Sequence, residues 1–507
     1  MKEPKSAVRR AGSMVGLGMV ARIASQVMTL VLLLLAGRFL TIELFGIFAL
    51  AVILLNFSQT IMFSGVYAYL LKEPDIRPTL PTAFTLHCAV AVFFFLAILL
   101  VGFGISFIPG QMLLAKLVAA TCGIPLISLI GCWQEALALR RHKVRYYYLS
   151  LLTSEVLGFA LGVWMLVNDY GVWSLVASRY VAFAVIATML FVAERSLPRP
   201  GWNREHAKRI TDYGAGLYGS AALTFLTLYW SDIAIGALLN ARAVGLFRMG
   251  ARTATAAFDI FAQTTRVLAW QVTGRYSREG RLREPVWVTM YASLITLVAA
   301  GLGSMAVLGE DLTLVILGEE WLPMVPVLQL ICLVRIIATF DLVAAAQLAA
   351  AGDTKYLFRV RVGEAIILFI TVFAGVAFGP VGVAVGMLPP AIYVAVRNMR
   401  RILHSTDTDI RAAFSTIWPA FVIALTTVGA AAIGREVLSG LSPLMRLGAA
   451  SLIGILGFCI AAFIVFRHWT MGQVRALSDA LMPARDPVDH EAGSPAPPGE
   501  TQAGAGA

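Results

Sequence analysis

The sequence predicts an all-α integral membrane protein of about 14 transmembrane helices. They form two six-helix lobes related by a pseudo-two-fold axis along the membrane normal, with two further helices after them. Three observations predict it. Of the 507 residues 59% are hydrophobic and only 14% charged, where a soluble domain carries about 25%; mean hydropathy is +0.80. Apolar runs long enough to cross a hydrocarbon core of about 30 Å recur from Met14 to Phe466. Lys and Arg gather in every second connection between these runs, as the positive-inside rule requires.

The spans expected in order are 14–37, 44–70, 82–108, 111–137, 146–167, 171–193, 213–239, 243–270, 285–308, 325–350, 361–378, 381–399, 412–433 and 445–467. The first follows a basic start of Lys2, Lys5, Arg9 and Arg10. It is longer than a signal-peptide core, contains Arg22 and has no small-residue cleavage pattern, so it reads as a helix. Basic connections hold, for example, Arg140, Arg141, Lys143 and Arg145, and later Arg275, Arg278, Arg281 and Arg283, while the opposite connections hold few cations and the acidic Glu310, Asp311, Glu319 and Glu320. Both termini are therefore expected in the cytoplasm, and the net charge of +11 reflects topology rather than nucleic-acid binding.

Cys88, Cys122, Cys132, Cys332 and Cys459 fall inside apolar spans without ligand spacing and are expected to pack in the core. Trp164, Trp173 and Trp321 at outer ends, and Trp202, Trp270, Trp287 and Trp469 at inner ones, suit an aromatic belt. Pro125, Pro389 and Pro390 predict helix kinks. The tail after Met482 is Pro/Gly/Ala-rich and aperiodic, which predicts disorder.

An internal repeat divides the chain. GRFLTIELFGIFALA from Gly37 and GALLNARAVGLFRMG from Gly236 align with Gly37 on Gly236, Leu40 on Leu239, Gly46 on Gly245 and Phe48 on Phe247, all 199 residues apart. GVWSLVA at Gly171 is echoed by GPVGVAVG at Gly379. Six helices per repeat is an even number, so the repeats share one orientation. The expected division is a lobe at 1–193, a basic linker at 194–212, a second lobe at 213–400, two added helices within 401–470 and a tail at 471–507.

Four segments in order, FSGVYAYLLKEPDI from Phe63, NDYGVWSLVASR from Asn168, TDYGAGLYGSAALTFLTLYWSDIAIGALLNARAVGLF from Thr211 and VILGEEWLPMVPVLQLICLV from Val315, give the chain a family likeness over nearly its whole length. It resembles the Wzx-type oligosaccharide flippases and polysaccharide transporters of the multidrug/oligosaccharidyl-lipid/polysaccharide exporter superfamily. The resemblance implies a V of two lobes opening alternately to either side, with helices one, two, seven and eight lining a central cavity. It also implies a lipid-linked oligosaccharide substrate on undecaprenyl pyrophosphate, membrane lipids as surroundings, and a polysaccharide polymerase and export machinery as neighbours.

The charges inside the spans carry the site expectation. On the eighth span Arg248, Arg252, Asp259 and Arg266 recur at steps of four and seven, one helix face about 27 Å long. Charges at that depth face a bundle interior or a wet cavity. A diphosphate needs cations whose fork binds oxygens bidentately, and Arg22, Arg248, Arg252 and Arg266 are the substrate-binding candidates, with Arg22 and Arg252 favoured. The plainer reading is that Asp232 neutralises Arg248 or Arg252 and Asp259 neutralises Arg266. Arg179 and Arg335 are expected to pair between helices, with Glu155 and Asp341 as partners. Asp232, Asp259, Asp341, Glu155 and Glu364 double as proton or sodium sites. His87 reads as a packed histidine, Lys116 as an interfacial one, and no metal site or cofactor is expected.

Two rival functions remain at this level. A drug or organic-cation antiporter of the same fold calls for acids and aromatics in the cavity rather than arginines. A membrane polymerase or ligase calls for a long outer loop with catalytic residues, whereas the longest outer connection here, about 309–324, is short. No HExxH, GxSxG or GxxxxGK[ST] motif occurs, so neither an enzyme nor direct use of ATP is expected.

Overall fold

A computed structural model describes residues 4–281 and 284–481 of the chain. The tail after Met482, Lys2, Arg283 and the side chains of Lys5, Arg9, Arg10 and Arg22 lie outside the described residues.

The described residues form helices throughout, in fourteen spans. The first lobe holds α1 (Pro4–Phe39), α2 (Ile42–Met62) with α3 (Gly65–Lys72), α4 (Leu80–Ser106), α5 (Met112–Ala120) with α6 (Ile124–Arg140), α7 (Val144–Val167) and α8 (Trp173–Glu194). The second holds α9 (Arg204–Leu238), α10 (Ala241–Arg278), α11 (Val286–Val307), a short α12 (Gly309–Ile316), α13 (Val325–Ala350), α14 (Thr354–Val376) and α15 (Gly379–Gly386) with α16 (Leu388–Ser405). The added pair is α17 (Ile410–Val437) and α18 (Pro443–Ile460), followed by α19 (Arg467–Leu481). Eleven spans qualify as membrane-crossing by length and apolarity alone. The other three, α1, α10 and α14, complete the expected fourteen; α10 and α14 carry charge in mid-helix.

The helix borders obey the repeat. α1 ends at Phe39 and α9 at Leu238; Thr41 caps α2 by accepting from the Leu44 N–H, and Asn240 caps α10 by accepting from that of Ala243. Each pair is 199 residues apart. A capping side chain satisfies one of the helix's orphan donors, so the same signal stops and restarts the chain at equivalent points.

The lobes meet where these equivalents face each other. A Cβ on Gly46 would overlap the Ala241 carbonyl, and a Cβ on Gly245 would overlap that of Ile42. Gly37 abuts Met249 while Gly236 abuts Leu50. In both cases the contact of residue i with j is matched by its copy 199 residues on, the reciprocity that a two-fold axis imposes. Glycine is required here because helix backbones touch only where side chains are absent.

Connections rich in Lys and Arg lie at one end of the bundle, called here the basic end. At the far end Trp321 donates from Nε1 to the Gly37 carbonyl at 2.8 Å, and Arg38 donates to the carbonyls of Val315 and Ile316 at the close of α12. At the basic end α3 meets α9: Gly65, at φ +31°, lies against Tyr218, whose hydroxyl accepts from the Val66 N–H at 3.2 Å, and Lys72 sits 4.4 Å from the Tyr213 ring centroid. The lobes are thus closed against each other at both ends. α17 and α18 lie on the second lobe, held by Arg435 and Arg446 at the buried Asp311.

Several expectations need correction. Pro125 and Pro389–Pro390 do not bend continuous helices; they open α6 and α16 after outright breaks, because proline suits a first helical turn and not an interior. A third break, between α2 and α3, has no proline and was not foreseen. Trp321 and Trp287 are fully buried rather than in a belt. The first seals the far end, and the second donates to Thr406 Oγ1. Trp469 is half-buried and donates to the Thr416 carbonyl, whereas Trp164, Trp173, Trp202 and Trp270 are exposed as a belt requires. Cys459 is exposed on α18 instead of packed in a core.

Gly46→Leu and Gly245→Leu each drive a side chain into a backbone that cannot yield, and overpacking of this kind costs about 1–3 kcal/mol. Both variants should lower the melting temperature of the detergent-solubilised protein, by similar amounts. A wild-type melting curve for either would show that this crossing is not held in solution.

Candidate functional site

Between the two closures, α1, α9, α10 and α13 bring the intramembrane charges to the lobe seam. The hairpin of α9 and α10, turned at Leu239 and capped by Asn240, sets Asp232 beside Arg248: Nη1 donates to Oδ2 at 2.7 Å. The carboxylate is buried, and its other oxygen, Oδ1, has no hydrogen-bond partner among the described residues. The Arg248 guanidinium also lies over the Tyr229 ring, 4.9 Å from its centroid. Tyr229 stacks on Phe225 at 4.5 Å, and Phe225 meets Phe57 of α2 at 4.9 Å. An aromatic column therefore runs from the first lobe to the ion pair of the second.

One turn further along α10, Arg252 reaches across the seam. Its Nη2 donates to Gln26 Oε1 of α1 at 3.1 Å. Among the described residues it has no carboxylate at salt-bridge distance; Arg248 and Arg179 act on it as like charges and Asp259 as an opposite one. It is half-buried. A neutral amide satisfies one donor of the fork and supplies no counter-charge.

The remaining candidates separate by what holds them. Arg335 of α13 donates from Nε and Nη2 to Thr255 Oγ1 at 3.3 and 3.1 Å and lies over the Phe258 ring at 5.7 Å. Its expected partner, Asp341, is held instead by Arg361 and by Asn398 Nδ2 at 2.8 Å. Arg361 also takes Glu364 at 2.8 Å, so these two acids form a separate cluster on α13, α14 and α16. Arg179 and Glu155 line one small cavity of about 30 Å³ with Thr29 and Ser178, room for a water or two. Glu155 accepts from Thr29 Oγ1 at 3.4 Å and makes no ion pair with Arg179. Asp259 is likewise without an ion pair among the described residues, although Arg335, Arg252 and Arg266 all act on it. Arg266 is exposed on α10, beyond the cluster. Arg22 lies on α1, one turn before Gln26, with its side chain outside the described residues.

Charge spacing could not find Gln26, Thr255, Tyr229 or Phe225, because none is charged. A signal existed for two of them. Gln26 lies four residues from Arg22 and Tyr229 three from Asp232, steps that share a helix face.

The comparisons with known proteins agree with this architecture. The profile of a family described as polysaccharide biosynthesis protein matches residues 34–326, more than half of the chain. The succinoglycan biosynthesis transport protein ExoT of Rhizobium meliloti is 22% identical over 346 residues, 68% of this chain and 69% of its own. The lipopolysaccharide biosynthesis protein WzxC of Escherichia coli is 23% identical over 396 residues, 76% and 79% respectively. Among solved structures, the lipid II flippase MurJ in its inward closed conformation superposes with a TM-score of 0.70 at 14% identity, covering 89% of this chain and 99% of that one. An inward-facing multidrug MATE transporter reaches 0.51, also at 14% identity, covering 77% and 96%. At these identities the structural likeness is one of fold. The chain belongs to the polysaccharide biosynthesis protein family, and the names that accompany it are those of transporters rather than enzymes.

Removing one partner of a buried ion pair strands the other, at about 3–5 kcal/mol. Asp232→Ala should therefore destabilise the protein more than the double variant Asp232→Ala/Arg248→Ala. The double variant should recover at least about 1 kcal/mol relative to the sum of the single ones. Thermal unfolding of the four proteins in one detergent measures this. Simple additivity would mean that Arg248 and Asp232 do not neutralise each other.

Proposed function

We propose, from membership of the polysaccharide biosynthesis protein family, that this chain flips oligosaccharide repeat units linked to undecaprenyl pyrophosphate across the bacterial cytoplasmic membrane. The units would serve exopolysaccharide, capsule or lipopolysaccharide O-antigen synthesis, with a polymerase and export machinery as the natural receivers. The basic end is the cytoplasmic one in this reading, with both termini inside, as the charge bias of the connections favours.

The observation that carries the proposal is Arg252, a cation at the lobe seam whose hydrogen-bond partner is the amide of Gln26 on the opposite lobe. A diphosphate in the seam replaces that amide with charged oxygens, and charge-assisted bonds of this kind are about twice as strong as neutral ones. Arg22, one turn before Gln26 in the sequence of α1, would share the same anion. The stacked Phe225 and Tyr229 back this wall from behind the ion pair. Arg248 organises this wall without being free for the ligand, because Asp232 holds it. The mechanism is alternating access: the lobes touch through separate contacts at the two ends, so either end can part while the other stays closed. An organic-cation antiporter is the rival use of the fold; the arginines gathered around Arg252 speak for an anion, and Asp259 is the acid which that rival would use.

Arg252→Ala and Arg22→Ala, expressed at normal levels, should leave lipid-linked repeat units accessible from the cytoplasmic side, with transport slowed about tenfold to a hundredfold for the loss of one charge-assisted bond. Arg252→Lys should retain part of the rate, since a point charge replaces a fork. Export at the wild-type rate by both alanine variants would rule out the cationic seam.

A further inference from the structure

Away from the lobe seam, at the basic end of the first lobe, the connection between α3 and α4, the end of α6 and the start of the linker at Ser196 enclose a pocket of about 410 Å³. That volume is within the range of small-ligand sites. Arg77, Arg140 and Arg141 line it, against a single carboxylate, Asp75.

The three arginines have different duties. Arg140 is committed to the protein: its guanidinium donates to the carbonyls of Leu70, at 3.0 Å, and of Glu73 and Pro74. It fixes the connection that forms one wall. Arg141 donates from Nη1 to Glu194 at 2.6 Å, which leaves Nε and Nη2 without a partner among the described residues, and half of its side chain is exposed. Glu194 itself is buried and is shared with Lys143 at 3.0 Å, so two cations answer one carboxylate. Arg77 is exposed at the rim, and Asp75 Oδ1 accepts from its backbone N–H at 3.1 Å. Counting Arg77, Arg140, Arg141 and Lys143 against Asp75 and Glu194 leaves an excess of two positive charges around a concave space. A merely solvated basic surface has neither a buried carboxylate orienting its arginines nor a concave, half-open volume in front of them. Ile76, Leu80 and Leu137 supply apolar wall beside the charge. The linker that joins the lobes starts here too, with Gln134 Nε2 donating to the Ser196 carbonyl at 2.8 Å.

We infer that this pocket is a second anion site, separate from the seam, that takes a phosphate-bearing group: the headgroup of an anionic membrane lipid or a soluble phosphate. The arginine fork matches phosphate oxygens bidentately, and the apolar wall suits the glycerol and first methylenes of a lipid. The inference stands independently of the transported substrate.

The test uses the purified full chain in detergent, titrated separately with phosphatidylglycerol, phosphatidylcholine and inorganic pyrophosphate, with thermal stabilisation and native mass spectrometry as readouts. Phosphatidylglycerol is expected to bind and stabilise beyond phosphatidylcholine. Pyrophosphate acting alone would support the site with a soluble ligand, and both acting would support it for the shared chemistry. Arg77→Gln, and the charge-balanced Arg141→Gln/Glu194→Gln, should each weaken half-saturation about tenfold or more, while Arg252→Ala should leave the phosphatidylglycerol half-saturation unchanged; pyrophosphate counts for this site only where Arg77→Gln weakens it. The inference is overturned if neither ligand exceeds the phosphatidylcholine response, if the pocket variants bind as wild type does, or if only Arg252→Ala abolishes binding. Should the double variant fail to fold, Arg77→Gln alone decides.

Discussion

Where α2 crosses α10, the peptide of Ala241 lies over Gly46 and that of Ile42 over Gly245, leaving no room for a side chain on either glycine. In hydrocarbon no hydrophobic gradient drives helices together, so close backbone packing supplies much of the association. This crossing lies on the pseudo-two-fold axis, and the two closures of the seam are reached from it along the helices. At the far end α1 and α2 meet the region of Trp321; at the basic end α3 meets α9. A shift of the crossing therefore changes both closures at once, which is the geometric requirement for coupled opening and sealing.

The charges on α10 are tolerable because the same hairpin that makes the crossing also sets α9 alongside. Asp232 meets Arg248 across it, and Tyr229 covers the guanidinium face. A buried pair is weak evidence for stability, since desolvation consumes much of the attraction. Its value lies in position: with Arg248 neutralised, the unbalanced charge of the seam is displaced one turn along, to Arg252 at the boundary between lobes.

The fold was largely legible in the sequence because hydrophobic runs, alternating basic connections and an offset of 199 residues are long-range signals that single substitutions do not erase. The offset holds even at the helix borders, Phe39 and Leu238, where the expected ends were 37 and 239. What could not be read was which charge meets which. Arg335 and Asp341 sit six residues apart on α13, a spacing that separates them by about 9 Å and turns them to different sides of the helix; Arg361 on α14 takes the acid. Trp287 and Trp321 look interfacial by depth, yet each has an internal acceptor that makes burial of its indole N–H affordable. Hydrogen-bond partners of that kind come from other helices, and their rotation about their axes is not written in local spacing.

The repeat also shows where function departs from architecture. Shifting by 199 residues carries Arg248 onto Ala49, Arg252 onto Ile53, Asp232 onto Leu33 and Tyr229 onto Leu30. The first lobe has apolar residues at the positions where the second has its charge pair, its free cation and its aromatic cover. Gln26, equivalent to Phe225, is polar, and it is the residue that Arg252 touches. Symmetry is thus kept where backbones must touch and is broken at the charge pair and at Arg252. An arginine at both Ile53 and Arg252 would set two like charges near the axis without an acid between them, a repulsion that the low dielectric of the membrane magnifies.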